Sequence, residues 1–131
     1  MISKNSKIYV AGHNGMVGSA ILRKLKDFGF KKLLLKNSSQ LDLRNQNSTY
    51  KFLKNKKPDV IFIASAKVGG ILVNQKHGAD FISDNLSIQN NLIIGSFKYK
   101  VKKLIFLSSS CAYPKDAPRP LKEKYFFQTL G

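Results

Sequence analysis

VAGHNGMVGSA, residues 10–20, sets Gly12, Gly15 and Gly18 at three-residue intervals between two apolar runs of different period. The run before it, KIYVAG (7–12), is short, aliphatic and free of polar alternation, as expected of a strand buried on both faces. The run after it, MVGSAILRKLKDFGF (16–30), repeats with a helical period. Val17, Ile21, Leu25 and Phe28 form its stripe, Arg23, Lys24, Lys26 and Asp27 lie mostly outside it, and Gly29 is a natural stop. Glycines in such a strand-to-helix turn suit a phosphate. Gly12 permits a tight turn, Gly15 lets the backbone approach a pyrophosphate, and Gly18 lets helix and strand pack closely. The N–H groups that open the helix then face the negative charge. Alone the triplet is a weak signal; in the first β–α turn of a βαβ pattern it points to a dinucleotide.

That pattern continues. KLLLK (32–36), VIFIAS (60–65) and KLIFLSS (103–109) are three further buried-strand runs. Between them lie NQNSTYKFLKNKKPD (45–59), a short amphipathic helix closed by Pro58, and GADFISDNLSIQNNLIIGSFKYK (78–100), the longest. In the latter, Phe81, Asn85, Ile88, Leu92 and Phe97 share roughly one side. The order β-α-β-α-β-α-β predicts right-handed crossovers and an α/β fold. We expect a Rossmann-like, doubly wound parallel sheet of four strands, incomplete, with an irregular tail over 110–131.

Charge is the oddity of the composition. Lys and Arg number 23 against 7 Asp and Glu, a net of +16, and only Arg23, Arg44 and Arg119 are arginine. Such a balance raises nucleic acid or an anionic surface as partners. The lysines are spread along the chain, however, which reads first as a solvated lysine-rich surface. One cysteine allows no internal disulfide and no cysteine-cluster metal site, and fits a reducing compartment. No stretch reads as a signal peptide or a membrane span, so the chain is expected to be cytoplasmic.

The end of the second strand selects the cofactor. A carboxylate there would hold a free ribose 2′-hydroxyl and repel a 2′-phosphate. Here the residues are Lys36, Asn37, Ser38 and Ser39, with no acid and one cation. The reading leans to NADP(H) over NAD(H).

AGHNGMVGSAI (11–21), SAKVGGI (65–71), ADFISDNLSIQNNLI (79–93) and KLIFLSSSCAYPK (103–115), in that order, closely resemble the GDP-L-fucose synthases, a family of extended short-chain dehydrogenases/reductases. The resemblance runs from about Lys7 to the end. It implies NADPH-dependent conversion of a nucleotide sugar, GDP-4-keto-6-deoxy-D-mannose, to GDP-L-fucose by 3,5-epimerisation and reduction at C4. It implies that Ser109 hydrogen-bonds the C4 oxygen and that Cys111 is the epimerising acid/base, its thiol having a reference pKa of about 8.5. It adds His13, Asn14, Met16 and Val17 to the three glycines as cofactor residues, with Lys36, Asp42, Leu43, Ala64, Ala66 and Lys67. It places Val68, Gly69 and Asn85 by the substrate. Relatives often carry basic residues at the positions of Asn14 and near Ser38, where this chain is neutral. The family's strand order, 3-2-1-4, would leave the fourth strand at an open edge, and its long helix forms a homodimer.

The family completes its catalysis with Tyr-x-x-x-Lys beyond the serine. The pairs Tyr50/Lys54 and Tyr99/Lys103 both precede Ser109, and Tyr113 and Tyr125 lack the lysine. The expectation is therefore the N-terminal portion of a longer enzyme, without its substrate domain and inactive alone. A catalytically silent dinucleotide-binding or regulatory module, and a basic nucleic-acid-binding protein, remain as alternatives.

Overall fold

The computed structural model describes residues 2–66, 77–109, 112–114 and 116–126. Its elements are β1 (Ile8–Ala11), α1 (Met16–Asp27), β2 (Leu33–Leu34), α2 (Gln46–Lys56), β3 (Val60–Ile63), α3 (Gly78–Lys98), β4 (Lys103–Phe106) and a 3-10 turn at Glu123–Tyr125. All four strands are parallel, in the order β2-β1-β3-β4. β1 and β3 pair over their full length, Ile8 with Val60 through Ala11 with Ile63, and β3 pairs β4 from Lys103 to Phe106 in the same way. The most apolar strands take the centre because both their faces are covered.

Side chains of β1 alternate between two cores. Ile8 and Val10 join Leu25 of α1 and Val60 on one face, with Ile21, Phe30 and Leu33 packed against them. Tyr9 and Ala11 join Phe52 and Leu53 of α2 and Ile88 and Leu92 of α3 on the other. Helices thus cover both faces, as the doubly wound expectation required.

Three particulars correct the sequence reading. The order 3-2-1-4 fails: β3 lies between β1 and β4 rather than beyond β2, and β2, two residues long and paired only with Ile8 and Tyr9, is an edge. β4 does lie at an edge. After β2 the chain turns on Asn37, whose side chain accepts from the Gln40 N–H at 3.0 Å. It then tucks Leu41 and Leu43 under the sheet without forming a strand. The stripe of α1 is only half buried, since Val17 and Phe28 are exposed. In α3 the buried face is Ile88, Asn91, Leu92, Gly95 and Ser96, while Phe97 points outward, 89% exposed.

Lysines gather at the N-terminal edge of the sheet. The last turns of the helices carry Lys24 and Lys26, Lys54 and Lys56, and Lys98, where a cation complements the helix dipole. Lys7, Lys32 and Lys102 immediately precede strands at the same edge. Much of the positive charge therefore lies opposite the strand ends that carry the glycine turn. No described helix is long and apolar enough to cross a membrane.

Candidate nucleotide site

The glycine turn is built by close contact. Gly12 follows β1 with φ +82°, and a Cβ there would stand 2.5 Å from the Ala64 carbonyl oxygen. A Cβ on Gly18 would overlap the Gly12 carbonyl oxygen. Both positions admit only hydrogen, so the end of β3, the turn and the first turn of α1 are pressed together. The Gly15 N–H closes the turn on Gly12 O at 3.0 Å. Gly15 is also the N-cap of α1 and brings no side-chain cap, and the first turn holds no acid. The opening N–H groups and the positive end of the dipole stay available to an anion.

Beside this turn lies a cleft of about 370 Å³ at the carboxyl ends of the strands. Its walls bring together Gly12, His13 and Asn14 of the turn, Lys36 past β2, Asp42 and Leu43, and Ala66 past β3. A second cavity of about 280 Å³ shares Ser65, Ala66 and Ile88 with it and adds Val17, Ala64 and Asn85. The two form one trough along the strand ends, where open α/β sheets bind their ligands. Neither Gly15 nor Gly18 lines that cleft: Gly18 is buried beneath the turn, while Gly15, in the turn itself, and Met16 are exposed. Ser109 lies just past β4, its carbonyl accepting from the Ala112 N–H at 3.1 Å. Lys67, Val68, Gly69 and Cys111 lie outside the described residues.

Several wall residues escaped the sequence reading. Arg44 grips Asp42 with two hydrogen bonds, Nε to Oδ1 at 2.9 Å and NH2 to Oδ2 at 2.8 Å, and reaches Asp84 of α3 at 3.4 Å. Hydrogen bonding to Arg44 holds the Asp42 carboxyl below the usual carboxylate range. One guanidinium thus balances Asp42 and Asp84, and among the described residues Lys36 is the other cation on the wall. The signal for Arg44 was its place directly after the alternating Leu41-Asp42-Leu43. Nothing local pointed to Asp84. His13 Nδ1 is buried and has no hydrogen-bond partner among the described residues.

The two Tyr-x-x-x-Lys pairs are structural. Tyr50 and Tyr99 meet edge-on at 5.7 Å where the middle of α2 faces the end of α3, and Lys98 Nζ sits 5.1 Å from the Tyr50 ring centroid. Neither tyrosine lines the trough.

A parallel sheet wrapped on both faces, a glycine turn at a bare helix N-terminus and a cleft at the strand ends define a dinucleotide-binding α/β domain. Residues 8–129 match the NAD dependent epimerase/dehydratase family, and the chain belongs to it. It is 52% identical over 123 residues to a putative GDP-L-fucose synthase 2 of Arabidopsis thaliana, covering 94% of this chain and 38% of that protein. It is 41% identical over 122 residues to the GDP-L-fucose synthase of Escherichia coli, covering 93% and 38%. Among solved structures, a GDP-mannoheptose C4 reductase of Campylobacter jejuni with NADP bound superposes with a TM-score of 0.91 at 46% identity, covering 98% of this chain and 40% of that one. A Naegleria fowleri GDP-L-fucose synthetase bound to NADP gives 0.84 at 26% identity, covering 97% and 38%. The chain spans about 38% of the length of these curated relatives.

Proposed function

We propose that this chain is the NADP-binding portion of an epimerase-reductase that makes GDP-L-fucose from GDP-4-keto-6-deoxy-D-mannose. The observation that carries the reading is the glycine turn, packed too tightly for any Cβ at Gly12 or Gly18, opening on a cleft where the residues just past β2, Lys36, Asn37 and Ser38, offer a cation and no acid. The residues fit the group: bare amides for a pyrophosphate, Asp42 and Leu43 for the base, and Lys36 with Asn37 and Ser38 for a 2′-phosphate. Bound there, NADPH would supply a hydride.

The remaining roles are those the resemblance implies. Ser109 would donate to the C4 oxygen of the sugar and steady its developing charge. Cys111 would exchange the protons at C3 and C5, made acidic by the adjacent ketone, with Lys67, Val68, Gly69 and Asn85 lining the sugar. Reduction at C4 is the step named for the Campylobacter relative too, which favours a GDP-keto-sugar reductase even where the sugar differs. The long helix, with Ile82, Leu86, Ile94 and Phe97 exposed, suits the homodimer implied by the resemblance.

Calorimetric titration of the purified chain with NADPH and NADH tests the reading. Saturable micromolar binding that favours NADPH is expected. A folded chain that binds neither, but binds DNA with a steep salt dependence, would replace it with the nucleic-acid alternative. A chimera carrying the rest of the Arabidopsis relative tests the substrate. Consumption of NADPH with GDP-4-keto-6-deoxy-D-mannose, and its loss in Ser109→Ala, are the expected results.

A further inference from the structure

Asn91 stands at the most buried part of α3, 6% exposed, on a face otherwise given to Ile88, Leu92 and Gly95. Its side-chain Nδ2 donates to two consecutive backbone carbonyls, Leu43 O and Arg44 O, each at 2.9 Å. Both amide hydrogens are thereby used. The segment it holds runs through 41–45 without regular secondary structure. No strand ladder fixes those carbonyls, yet this is the stretch that forms the Asp42–Leu43 wall of the cleft. Thr49, fully buried in α2, adds a second hold: its hydroxyl lies 2.9 Å from Asn45 O and 3.3 Å from Leu43 O. Leu41 and Leu43 anchor the same stretch by packing against α3 and the sheet.

We infer that Asn91 is a positioning residue for the base-binding wall: it pins two successive peptide planes and so sets where Asp42 and Leu43 meet the adenosine half of the dinucleotide. The inference rests on the dinucleotide reading above. The chemistry requires a trigonal nitrogen with two hydrogens at this place. A leucine of the same shape offers no donor, and an ionised aspartate would set negative oxygens against two carbonyls. In either case Arg44 O loses its side-chain partner and Leu43 O keeps only the Thr49 hydroxyl at 3.3 Å, so the wall can relax away from the sheet. The pyrophosphate turn, carried by β1 and α1, is independent of this clamp.

The test compares two probes on the purified 131-residue chain, 2′,5′-ADP for the adenosine half and inorganic pyrophosphate for the turn. Asn91→Leu and Asn91→Asp should weaken 2′,5′-ADP about tenfold, the scale of one to two lost hydrogen bonds, and leave pyrophosphate within about twofold. Val60→Ala, which trims the core on the opposite face, should lower the melting temperature and change neither affinity. Folded Asn91 variants that bind 2′,5′-ADP as tightly as the wild type would overturn the inference and leave the functional reading standing. A wild-type chain that binds neither probe removes both. Where the variants do not fold, the wild-type side-chain amide resonances of Asn91 serve instead. They should shift with 2′,5′-ADP and not with pyrophosphate, and an equal response to both counts against the clamp.

Discussion

A Cβ on Gly18 would stand well inside van der Waals contact with the Gly12 carbonyl oxygen, so α1 rests on the glycine turn at a distance only hydrogen allows. Gly15 is different: its φ is −74° and its nearest neighbour to a Cβ is 3.3 Å away. The three glycines therefore separate by experiment. Gly18→Ala should destabilise the chain by about 1–3 kcal/mol through overpacking. Gly12→Ala should cost more, since its positive φ adds strain. Gly15→Ala should stay within about 1 kcal/mol of the wild type and yet weaken NADPH at least tenfold, because its methyl stands where a pyrophosphate approaches. Thermal melts beside titrations check this. A Gly15→Ala chain with undiminished affinity would remove Gly15 from the phosphate site.

Among the described residues of the cleft wall there are two cations, Arg44, which is paired with Asp42 and Asp84, and Lys36. If it meets a 2′-phosphate, Lys36→Ala should reduce the ratio of NADPH to NADH affinity about tenfold, the worth of one charge-assisted contact. Lys36→Glu should reverse the preference, as a carboxylate at that place binds a ribose diol. Paired titrations read the ratio directly, and a ratio untouched by both changes would assign Lys36 to the surface.

Most of the fold was legible because its signals are local. Four aliphatic runs, the glycine turn and the Pro58 stop each act within a few residues. What escaped depends on partners distant in the chain. The length of β2 was overestimated because Leu35 and Lys36 look like strand yet find no ladder once Asn37 turns the chain. Leu41 and Leu43 are buried without being a strand, and the Leu43 carbonyl is met by Asn91, 48 residues further on, together with the Thr49 hydroxyl. The burial of Asn91 and the exposure of Phe97 invert their hydropathy, which periodicity cannot foresee. In the site the cofactor side was readable from spacing, while the Arg44–Asp84 contact joins residues whose proximity only the packing of α3 creates.

Asp59 ties three strands together at the opposite edge. Its carboxylate accepts from the Lys7 N–H at 2.8 Å and pairs with Lys102 Nζ at 2.7 Å. Its carbonyl accepts from the Lys102 and Lys103 N–H groups at 3.0 and 3.1 Å. Hydrogen bonding to Lys102 and then to the Lys7 amide holds its carboxyl below the ordinary value of 3.8. A carboxyl lowered on folding adds stability that is fully present above its unfolded pKa. That stability is lost as pH falls through the lower folded value. Asp59→Asn keeps an acceptor for Lys7 but loses the charge, so it should cost about 1 kcal/mol at pH 7 and less as pH drops below 3.8. Urea unfolding at pH 7 and pH 3 measures the difference. A cost that stays constant between them would exclude the ionised carboxylate as its source.

Tyr9 is fully buried at the centre of β1, its ring 4.7 Å from that of Phe52, and its hydroxyl has no hydrogen-bond partner among the described residues. A buried hydroxyl without a partner carries its desolvation penalty uncompensated. Tyr9→Phe removes the oxygen and keeps the ring, so it should raise stability, by up to about 1 kcal/mol at pH 7. Burial also pushes the Tyr9 phenol well above its usual value of 10.0. The sign follows from the unfolded state. Below pH 10 both states keep the proton and the group adds no pH dependence; above it the unfolded chain ionises while the folded one resists, so stability falls. The phenylalanine variant lacks this loss, and its advantage should widen as pH rises past 10. Chemical denaturation at pH 7 and pH 10.5 provides the comparison. A variant less stable than the wild type at pH 7 would mean that the Tyr9 hydroxyl is bonded after all, and a gap that does not widen would place its ionisation outside the core.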